Sequence, residues 1–481
     1  MLNKTKFKLS YLVLIVSCLL ILSDFGFAFY EFHGHALHGD IVPLVLPNHT
    51  NAPVLSDPFG FKALSTKVYH PNINRYFSVA SLQLYMKQFP LFLQNFTKPV
   101  ESLYLASSLF RIGIYLSFIL FMYLVVNLNR ETSPSRWVAL LCLLPFLQIR
   151  GVNSCYDFVG QSIVYAFFYG FPIALLCFFI YPFLKAYVKD EIALKDKSLR
   201  YFIHFIWGFC LLFSSAIMPP ILLITIGIYS LVRIWNSYKE RQLIWTKKDS
   251  LFAALFCIGI YSLILGGFNS ESANAIPIWE RYQRLMIGFY AYFIKQPSLL
   301  VSWILSFFLY KFIGKRASEI WDGKFKILVL VGIVCGLIYI FSLPLGGFRD
   351  YRPYILRTDT LLPVSVFSWG LVSLLFYYAM TNPKSKIQKT SIILFILASI
   401  YFTGTEYNSS RPTKTCEKGI LYQLAECPKD QDIVVIKENG CPVTDWIMMK
   451  NPKQYENHSK LWQHWNITDR KILLSFEEAP W

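Results

Sequence analysis

The sequence is constrained most strongly by its long apolar stretches, which short polar loops separate. Eleven stretches are predicted to cross a membrane, at residues 9–29, 103–127, 137–147, 159–187, 201–218, 220–235, 251–268, 299–313, 327–345, 361–380 and 391–403. A helix needs about 20 apolar residues to span a bilayer, so the third and the last stretch are short. Only 16% of the residues are charged, whereas a soluble domain has about a quarter. We therefore expect an all-α polytopic membrane protein.

The formal net charge of +17 is explained by where the basic residues lie. Lysine and arginine are concentrated in alternate loops, which in the predicted arrangement all lie on the side of the N-terminal lysines: 128–136, 185–200, 233–249, 311–326 and 382–389. Basic loops are retained on the cytoplasmic side of a membrane. The pattern predicts a cytoplasmic N-terminus and an exterior C-terminal region, and it argues against nucleic acid as the partner.

The chain is predicted to form two parts, a membrane bundle at residues 1–403 and a small exterior cap at 404–481. The cap contains one strand-like run, at 432–437. Four of the ten cysteines lie outside the apolar stretches on the predicted exterior side, where disulfides can form: Cys155, Cys416, Cys427 and Cys441. The favoured pair is Cys416 with Cys427, although sequence alone does not fix the connectivity.

The longest polar segment is the exterior loop at residues 30–102, which concentrates histidine, aspartate and arginine. Its last part, 76–96, has too many polar positions for a span, and its apolar and polar residues lie on opposite sides of a helix. Such a helix is predicted to lie in the membrane interface. Pro90 is expected to kink this helix or to begin a second one.

Asp40 is the candidate catalytic residue because it follows the first span closely. Burial under overlying loops would make its carboxylate a usable general base. The alternative is a turn aspartate, since Gly39-Asp40 is ordinary turn chemistry. Asp57, in the run Ser-Asp-Pro-Phe-Gly, is either a substrate contact or another turn residue.

The histidines near Asp40 are spaced so that they could gather around a divalent metal. His33 and His35 are the candidate metal ligands, and His38 is a candidate substrate contact. An exposed loop punctuated by glycines has the same composition, so both interpretations are kept.

Several arginines are candidates for binding an anionic substrate. Arg349, Arg352 and Arg357 share one exterior loop, and their guanidinium groups suit a phosphate or a lipid headgroup. Arg111 lies inside the second span, where a charge costs about 2.5–3.5 kcal/mol, unless it reaches out to the interface. Arg75 ends the polar run at 70–75 and is a further candidate.

This layout resembles the GT-C superfamily of integral-membrane glycosyltransferases. Members have an acidic residue soon after the first span, interfacial helices, a bundle of spans and often an exterior C-terminal domain. The resemblance implies transfer of a sugar from a polyprenyl-phosphate or polyprenyl-diphosphate donor, with the loop carboxylate as base or metal ligand. Asp40 occupies the expected place, residues 76–96 look like the interfacial helices, and the loop at 349–357 could hold the lipid phosphate.

The resemblance implies a multi-pass protein of a bacterial inner membrane that acts on the periplasmic side on an envelope or membrane acceptor. The Asp-Glu pair of the protein mannosyltransferases is absent, because Gly39-Asp40-Ile41 stands in that region. Two alternatives come from other classes. One is a transporter or flippase for a lipid or sugar, although the spans hold few ionisable residues beyond Arg111 and His204. The other is a non-catalytic component of envelope assembly.

Overall fold

The computed structural model describes most of the chain, with gaps at some loops and at both ends. The described residues are 2–37, 39–128, 162–191, 197–242, 245–271, 276–295, 298–320, 323–346, 354–380, 411–436, 440–449 and 451–477, with isolated positions at 137–147, 194 and 390–401. Within these ranges the chain is almost entirely helical. The expected all-α class is confirmed.

The bundle contains sixteen α-helical segments among the described residues before the cap. They are α1 (Leu2–His33), α2 (Ile41–Val45), α3 (Ala52–Ser56), α4 (Phe61–Thr66), α5 (Tyr76–Leu93), α6 (Pro99–Val126), α7 (Leu144–Leu147), α8 (Ile163–Tyr165), α9 (Phe171–Lys189), α10 (Ser198–Leu212), α11 (Met218–Glu240), α12 (Lys247–Gly266), α13 (Ile278–Tyr290), α14 (Ser298–Ile320), α15 (Lys324–Ser342) and α16 (Thr358–Met380). A π-helical turn, Ala166–Gly170, joins α8 to α9 without a break.

Seven described helices are long and apolar enough to cross a membrane: Leu14–His33, Pro99–Val126, Ile163–Lys189, Met218–Glu240, Lys247–Gly266, Lys324–Gly346 and Thr358–Tyr378. A bent pair, Ile278–Ile294 with Leu299–Lys311, is an eighth if it forms one span. The predicted total of eleven is not supported. The predicted stretches at 137–147 and 391–403 lie largely outside the described residues. The stretch predicted at 201–218 forms α10, which has only 15 residues and is short for a span.

The helices bury a continuous apolar core. α1 and α5 both pack on α6, α11 packs on α12 and α15, and α14 packs along α16. Apart from Arg111, the largest fully buried side chains in the bundle are aromatic, including Trp369, Tyr104, Tyr115, Tyr377 and Phe118. The large loop after α1 packs on this core through the short helices α2 to α4.

The predicted interfacial helix is confirmed as a helix, α5, although its position in a membrane stays a prediction. It continues through Pro90 to Leu93, so the expected second helix does not begin there. Pro90 has no N–H to donate to the carbonyl of Met86, one turn earlier. The indole N–H of Trp465 donates to that carbonyl instead, at 2.8 Å. The cap therefore satisfies the group that proline leaves without a helical donor.

The cap consists of α17 (Arg411–Ala425), β1 (Ile433–Ile436), α18 (Glu456–His464) and β2 (Leu473–Phe476). The predicted strand is confirmed as β1, and it pairs in parallel with β2, which was not predicted. We call the end of the bundle against which these residues pack the cap end.

The disulfide of the cap joins Cys416 to Cys441. The predicted Cys416–Cys427 pair was wrong, and Cys427 is a free thiol. Cys416 lies in the first half of α17 and Cys427 lies beyond its end. At about 1.5 Å of rise per residue, the helix separates the two by roughly 15 Å, whereas the Cα atoms of a disulfide are usually less than about 7 Å apart. Cys155 lies outside the described residues.

Candidate functional site

Asp40 lies at the cap end, in the turn that leads from α1 to α2. The turn depends on Gly39, whose φ of +116° is a conformation that favours glycine. Asp40 occupies the N-cap position of α2, but its side chain makes no capping hydrogen bond. The carboxylate is exposed. The burial on which its basicity was predicted is therefore absent, and the carboxylate is accessible to a ligand.

Two aromatic side chains lie beside this turn. The rings of Tyr165 and Trp446 are 5.8 Å apart, and the Trp446 ring would be 3.4 Å from a Cβ atom placed on Gly39. The Asp40 carboxylate lies close enough to Tyr165 to act electrostatically on its hydroxyl. Trp446, from the cap, is 40% exposed. Asp40 thus borders a partly open aromatic surface built from the bundle and the cap.

Arg357 and Asp359 form an ion pair just before α16. The guanidinium Nη2 donates to Oδ2 of Asp359 at 2.5 Å, and the guanidinium is also hydrogen-bonded to Tyr169. Burial is the largest single influence on Arg357 and opposes its charge, but Asp359, Tyr169 and Tyr165 together outweigh it, so the pKa of Arg357 is raised above its usual value. Both charges of the pair also act on Tyr165. Arg357 and Asp40 therefore both lie near the hydroxyl of Tyr165.

The π-helical turn Ala166–Gly170 provides the frame for these contacts. Tyr165 directly precedes the turn and Tyr169 lies within it, with their rings 5.8 Å apart. Arg75 lies over two of its rings, with its guanidinium carbon 5.2 Å from the centre of Phe168 and 5.8 Å from that of Tyr169. Single π-helical turns inside long helices occur frequently at functional sites. This turn brings Arg75 and Arg357 to the same tyrosine ring.

An apolar cavity of about 340 Å³ lies inside the bundle, between α6, α9, α11, α15 and α16. It extends along α15 from Phe325 to Tyr339 and along α16 from Pro363 to Leu374. The Tyr339 hydroxyl donates to the carbonyl of Thr360 at 2.9 Å, and Asp359 and Arg357 act on the same hydroxyl. The cap end of the cavity thus lies next to the ion pair.

The loop of the cap that carries Trp446 is fastened at three points. Cys441 is held by the disulfide, and the Thr444 N–H donates to Glu417 at 2.8 Å. His458 contacts the carboxylate of Asp445 at 3.2 Å. These ties fix the position of Trp446 relative to the bundle.

The cap is joined to the outer turns of the first two long helices by a row of charged contacts. Arg411 pairs with Glu31 of α1, and Lys418 pairs with Glu101 of α6. Lys414 donates to the carbonyl of His33. These contacts hold the cap, and with it Trp446, against the first two long helices.

Asp57 has a local structural role. Its carboxylate accepts the backbone N–H of Ala63 at 2.9 Å and so closes the turn that begins α4. This contact agrees with the turn interpretation, and it places Asp57 outside the group around Tyr165 and Tyr169.

Arg111, on the second long helix, is completely buried in the bundle, so its side chain does not extend to the protein surface. Its guanidinium contacts Ser107, one turn earlier. One turn later, the Tyr115 hydroxyl donates to Asp24 of α1, a buried acid that was not predicted. These residues form a polar contact between α1 and α6, separate from the aromatic surface beside Asp40.

The candidate metal ligands do not converge in the described part of the chain. His33 contacts the Ser108 hydroxyl at 3.3 Å and stacks on Phe29. His35 is buried against the Phe32 ring. Among the described residues no three His, Cys, Asp or Glu side chains form a metal-binding group. His38, Arg349 and Arg352 lie outside these residues, and metal binding stays a prediction.

The residues that connect Asp40 to Arg357 were not predicted. Tyr165 and Tyr169 are four residues apart in an apolar stretch, a spacing that places two hydroxyls on one helix face. That spacing was the available signal. No sequence signal connects Trp446 with residue 40.

No protein-family model, no curated protein and no solved structure significantly matches this chain. The functional argument therefore rests on the geometry of the site.

Proposed function

We propose that this protein is a membrane glycosyltransferase that moves a sugar from a polyprenyl-linked phosphate donor to an acceptor at the cap end. One observation carries the proposal: the apolar cavity ends at Tyr339, whose hydroxyl lies near the Arg357–Asp359 pair, and Asp40 acts on Tyr165 together with that pair. An isoprenoid chain requires an apolar cavity, and a phosphate suits a guanidinium. An exposed carboxylate is within reach of an acceptor hydroxyl, although it lacks the burial that would raise its basicity.

In the proposed reaction the oxygen of the acceptor hydroxyl forms a bond to the anomeric carbon of the sugar. The bond between that carbon and the phosphate oxygen breaks, and its electron pair leaves with the phosphate. The hydroxyl proton passes to the carboxylate of Asp40. Arg357 stabilises the negative charge that develops on the leaving phosphate. Tyr165, which both charged sites influence, has its hydroxyl available to orient the sugar.

The aromatic surface of Tyr165 and Trp446 is suited to the sugar itself. A pyranose ring has one face made of C–H groups, which packs on an aromatic ring while its hydroxyls remain hydrated. A divalent metal is implied by the resemblance to GT-C enzymes, but the described residues do not form a ligand set for one. No step is therefore assigned to a metal.

The proposal places this chemistry on the periplasmic side of a bacterial inner membrane, with a cytoplasmic N-terminus. The support is the distribution of basic residues between alternate loops. The GT-C assignment and any spans beyond those described are part of the same proposal.

The test is mass spectrometry of lipid extracts from a deletion strain complemented with variants. We expect a polyprenyl-linked sugar to accumulate in the deletion strain and with Asp40→Asn or Arg357→Met. The matched control is Asp430→Asn, which changes an exposed aspartate of the cap and should restore the normal lipid pool. Variants are compared at equal amounts of protein in the membrane.

An unchanged polyprenyl pool in the deletion strain contradicts the proposal. Full complementation by Asp40→Asn removes the role of that carboxylate. A lipid or sugar transporter is the second candidate, and the buried Asp24 and Arg111 in the first two long helices favour it. A transporter predicts that Asp40→Asn complements fully while changes at Asp24 do not.

A further inference from the structure

Arg75 is a buried cation without an anionic partner in the described part of the chain. It is only 7% exposed. Its one side-chain hydrogen bond there is a long one, 3.4 Å, from Nη1 to Oδ1 of Asn72. Its buried Nε has no partner among the described residues. A buried charge that lacks compensation is unfavourable, and removal of one partner from a buried ion pair is strongly destabilising for this reason.

Two other arginines of the cap end, half-buried Arg357 and buried Arg281, differ from Arg75. Arg357 is paired with Asp359 at 2.5 Å. Arg281 donates to the carbonyls of Ile276 and Pro344, at 3.1 Å and 3.4 Å. Arg75 has the Phe168 and Tyr169 rings as its main neighbours. Ring faces attract a cation but offer no strong hydrogen-bond acceptor, so the fork of the guanidinium is left for a ligand.

Two further features favour an anion beside Arg75. The residue is at the N-cap position of α5, an 18-residue helix whose N-terminus carries partial positive charge. Arg75 also lies over the face of Tyr169, and the hydroxyl of the same tyrosine is bound to Arg357. Two guanidinium groups therefore contact the same tyrosine, one at its ring face and the other at its hydroxyl, and only one of them has a carboxylate partner among the described residues.

We propose that Arg75 binds one phosphate of the donor and Arg357 the other, so that the donor is a polyprenyl-diphosphate-linked sugar. This inference rests on the proposed function. The diphosphate bridges the two guanidiniums beside Tyr169. When the bond from the anomeric carbon to the diphosphate oxygen breaks, its electron pair leaves with a polyprenyl diphosphate. The acceptor proton passes to Asp40 as before. A monophosphate donor would reach only one of the two arginines.

The first test uses thermal unfolding of the purified full chain in detergent, with inorganic diphosphate or inorganic phosphate at matched ionic strength. Diphosphate is expected to raise the Tm by several degrees and phosphate by clearly less. With Arg75→Met the diphosphate shift falls to that of phosphate. The Tm of Arg75→Met without added anion is expected to equal or exceed that of the unaltered protein, because an uncompensated buried charge has been removed.

Arg281→Met is the matched control, since it removes a buried arginine that has carbonyl partners. It is expected to lower the Tm without anion and to keep the full diphosphate shift. Arg75→Lys retains the charge without the fork and should give an intermediate diphosphate shift. Equal shifts from phosphate and diphosphate in the unaltered protein overturn the inference. The inference is also overturned if Arg75→Met has a lower Tm and an undiminished diphosphate shift, because Arg75 would then act only by packing on the rings.

The second test separates this inference from the proposed function. The lipid that accumulates with Asp40→Asn is fragmented in the mass spectrometer, and a diphosphate fragment is expected. If the accumulated lipid is instead a sugar-linked polyprenyl monophosphate, the proposed role of Arg75 is overturned, while the proposed transferase activity is not. A diphosphate-specific Tm shift together with an unchanged lipid pool supports the anion site and overturns the transferase.

Discussion

The backbone N–H of Leu37 donates a hydrogen bond of 2.7 Å to Oε2 of Glu417, across 380 residues of sequence. The same buried carboxylate accepts the Tyr104 hydroxyl at 3.0 Å and the Thr444 N–H at 2.8 Å. One side chain of the cap thus joins the segment before Asp40, the second long helix and the loop that carries Trp446. This one contact therefore positions both the segment before Asp40 and the loop that carries Trp446.

We predict that this contact makes attachment of the cap dependent on pH. Burial raises the pKa of Glu417 from 4.5 to about 7, although its three hydrogen bonds act in the opposite direction. Between these values the folded protein binds more protons than the unfolded chain, so stability falls as the pH rises. This loss of folding stability is absent below pH 4.5 and complete above pH 7, where it is on the order of 3 kcal/mol.

The measurement is thermal unfolding of the cap between pH 5 and pH 8, followed by protease protection of residues 411–477. Glu417→Gln cannot ionise, so the difference in Tm between it and the unaltered protein should change over this pH window. Glu456→Gln, at an exposed position of α18, should leave the pH profile unaltered. A cap that becomes more stable from pH 5 to pH 8 only when Glu417 is present would contradict the assignment.

The disulfide is predicted to stabilise the cap by about 3.5 kcal/mol, from the loop entropy that closure removes. The bridged residues are 25 positions apart in sequence. Cys441→Ser should therefore lower the Tm of the cap, and a reductant should lower it equally in the unaltered protein. Cys427→Ser is the control and should change little, because that thiol is free. Non-reducing peptide mapping checks the connectivity, and recovery of a peptide that links Cys416 to Cys427 would refute it.

Trp446 is predicted to contribute to sugar binding through its ring. An aromatic contact is worth about 0.5–1.5 kcal/mol beyond its buried area, which is roughly a two- to twelvefold effect. Trp446→Ala should slow sugar transfer by this factor and raise KM more than it lowers kcat, while Trp446→Phe retains most of the activity. Trp279→Ala changes a tryptophan that is 72% exposed on α13 and should have no effect. Equal activity of Trp446→Ala and Trp279→Ala would exclude the role.

The class of fold could be predicted because long runs of apolar residues in the sequence indicate membrane-spanning helices. All seven helices that qualify as spans coincide with predicted stretches. The count of eleven could not be supported, since apolar composition does not distinguish a 15-residue packed helix such as α10 from a span. Asp24 was overlooked because one acid among many apolar residues barely lowers the hydropathy of the stretch. Its partner Tyr115 becomes visible only when α1 packs on α6.

The charged residues of the candidate site could be predicted from the sequence, but their arrangement in space could not. Asp40, Arg75 and Arg357 were selected because charges near a membrane surface are uncommon enough to stand out. Their convergence depends on a π-helical turn and on a cap loop that arrives from 400 residues later, as the 380-residue separation of Leu37 and Glu417 illustrates. Local sequence carries no information on such contacts. The predicted Cys416–Cys427 disulfide was wrong for the same reason, because cysteines that are close in sequence need not be close in space.

The pairing of Pro90 with Trp465 gives a prediction about how the cap stabilises α5. The indole N–H of Trp465 donates to the Met86 carbonyl at 2.8 Å, where Pro90 provides no helical donor. Trp465→Phe should therefore destabilise the protein by about 1–3 kcal/mol in addition to its loss of volume, because a buried carbonyl is left without a partner. In Pro90→Ala the alanine N–H can donate to Met86, so the added cost of Trp465→Phe should shrink. A double-mutant cycle of Tm values measures this coupling. Additive effects of the two substitutions would show that the indole contributes through packing alone, and the proline would then be tolerated in α5 without help from the cap.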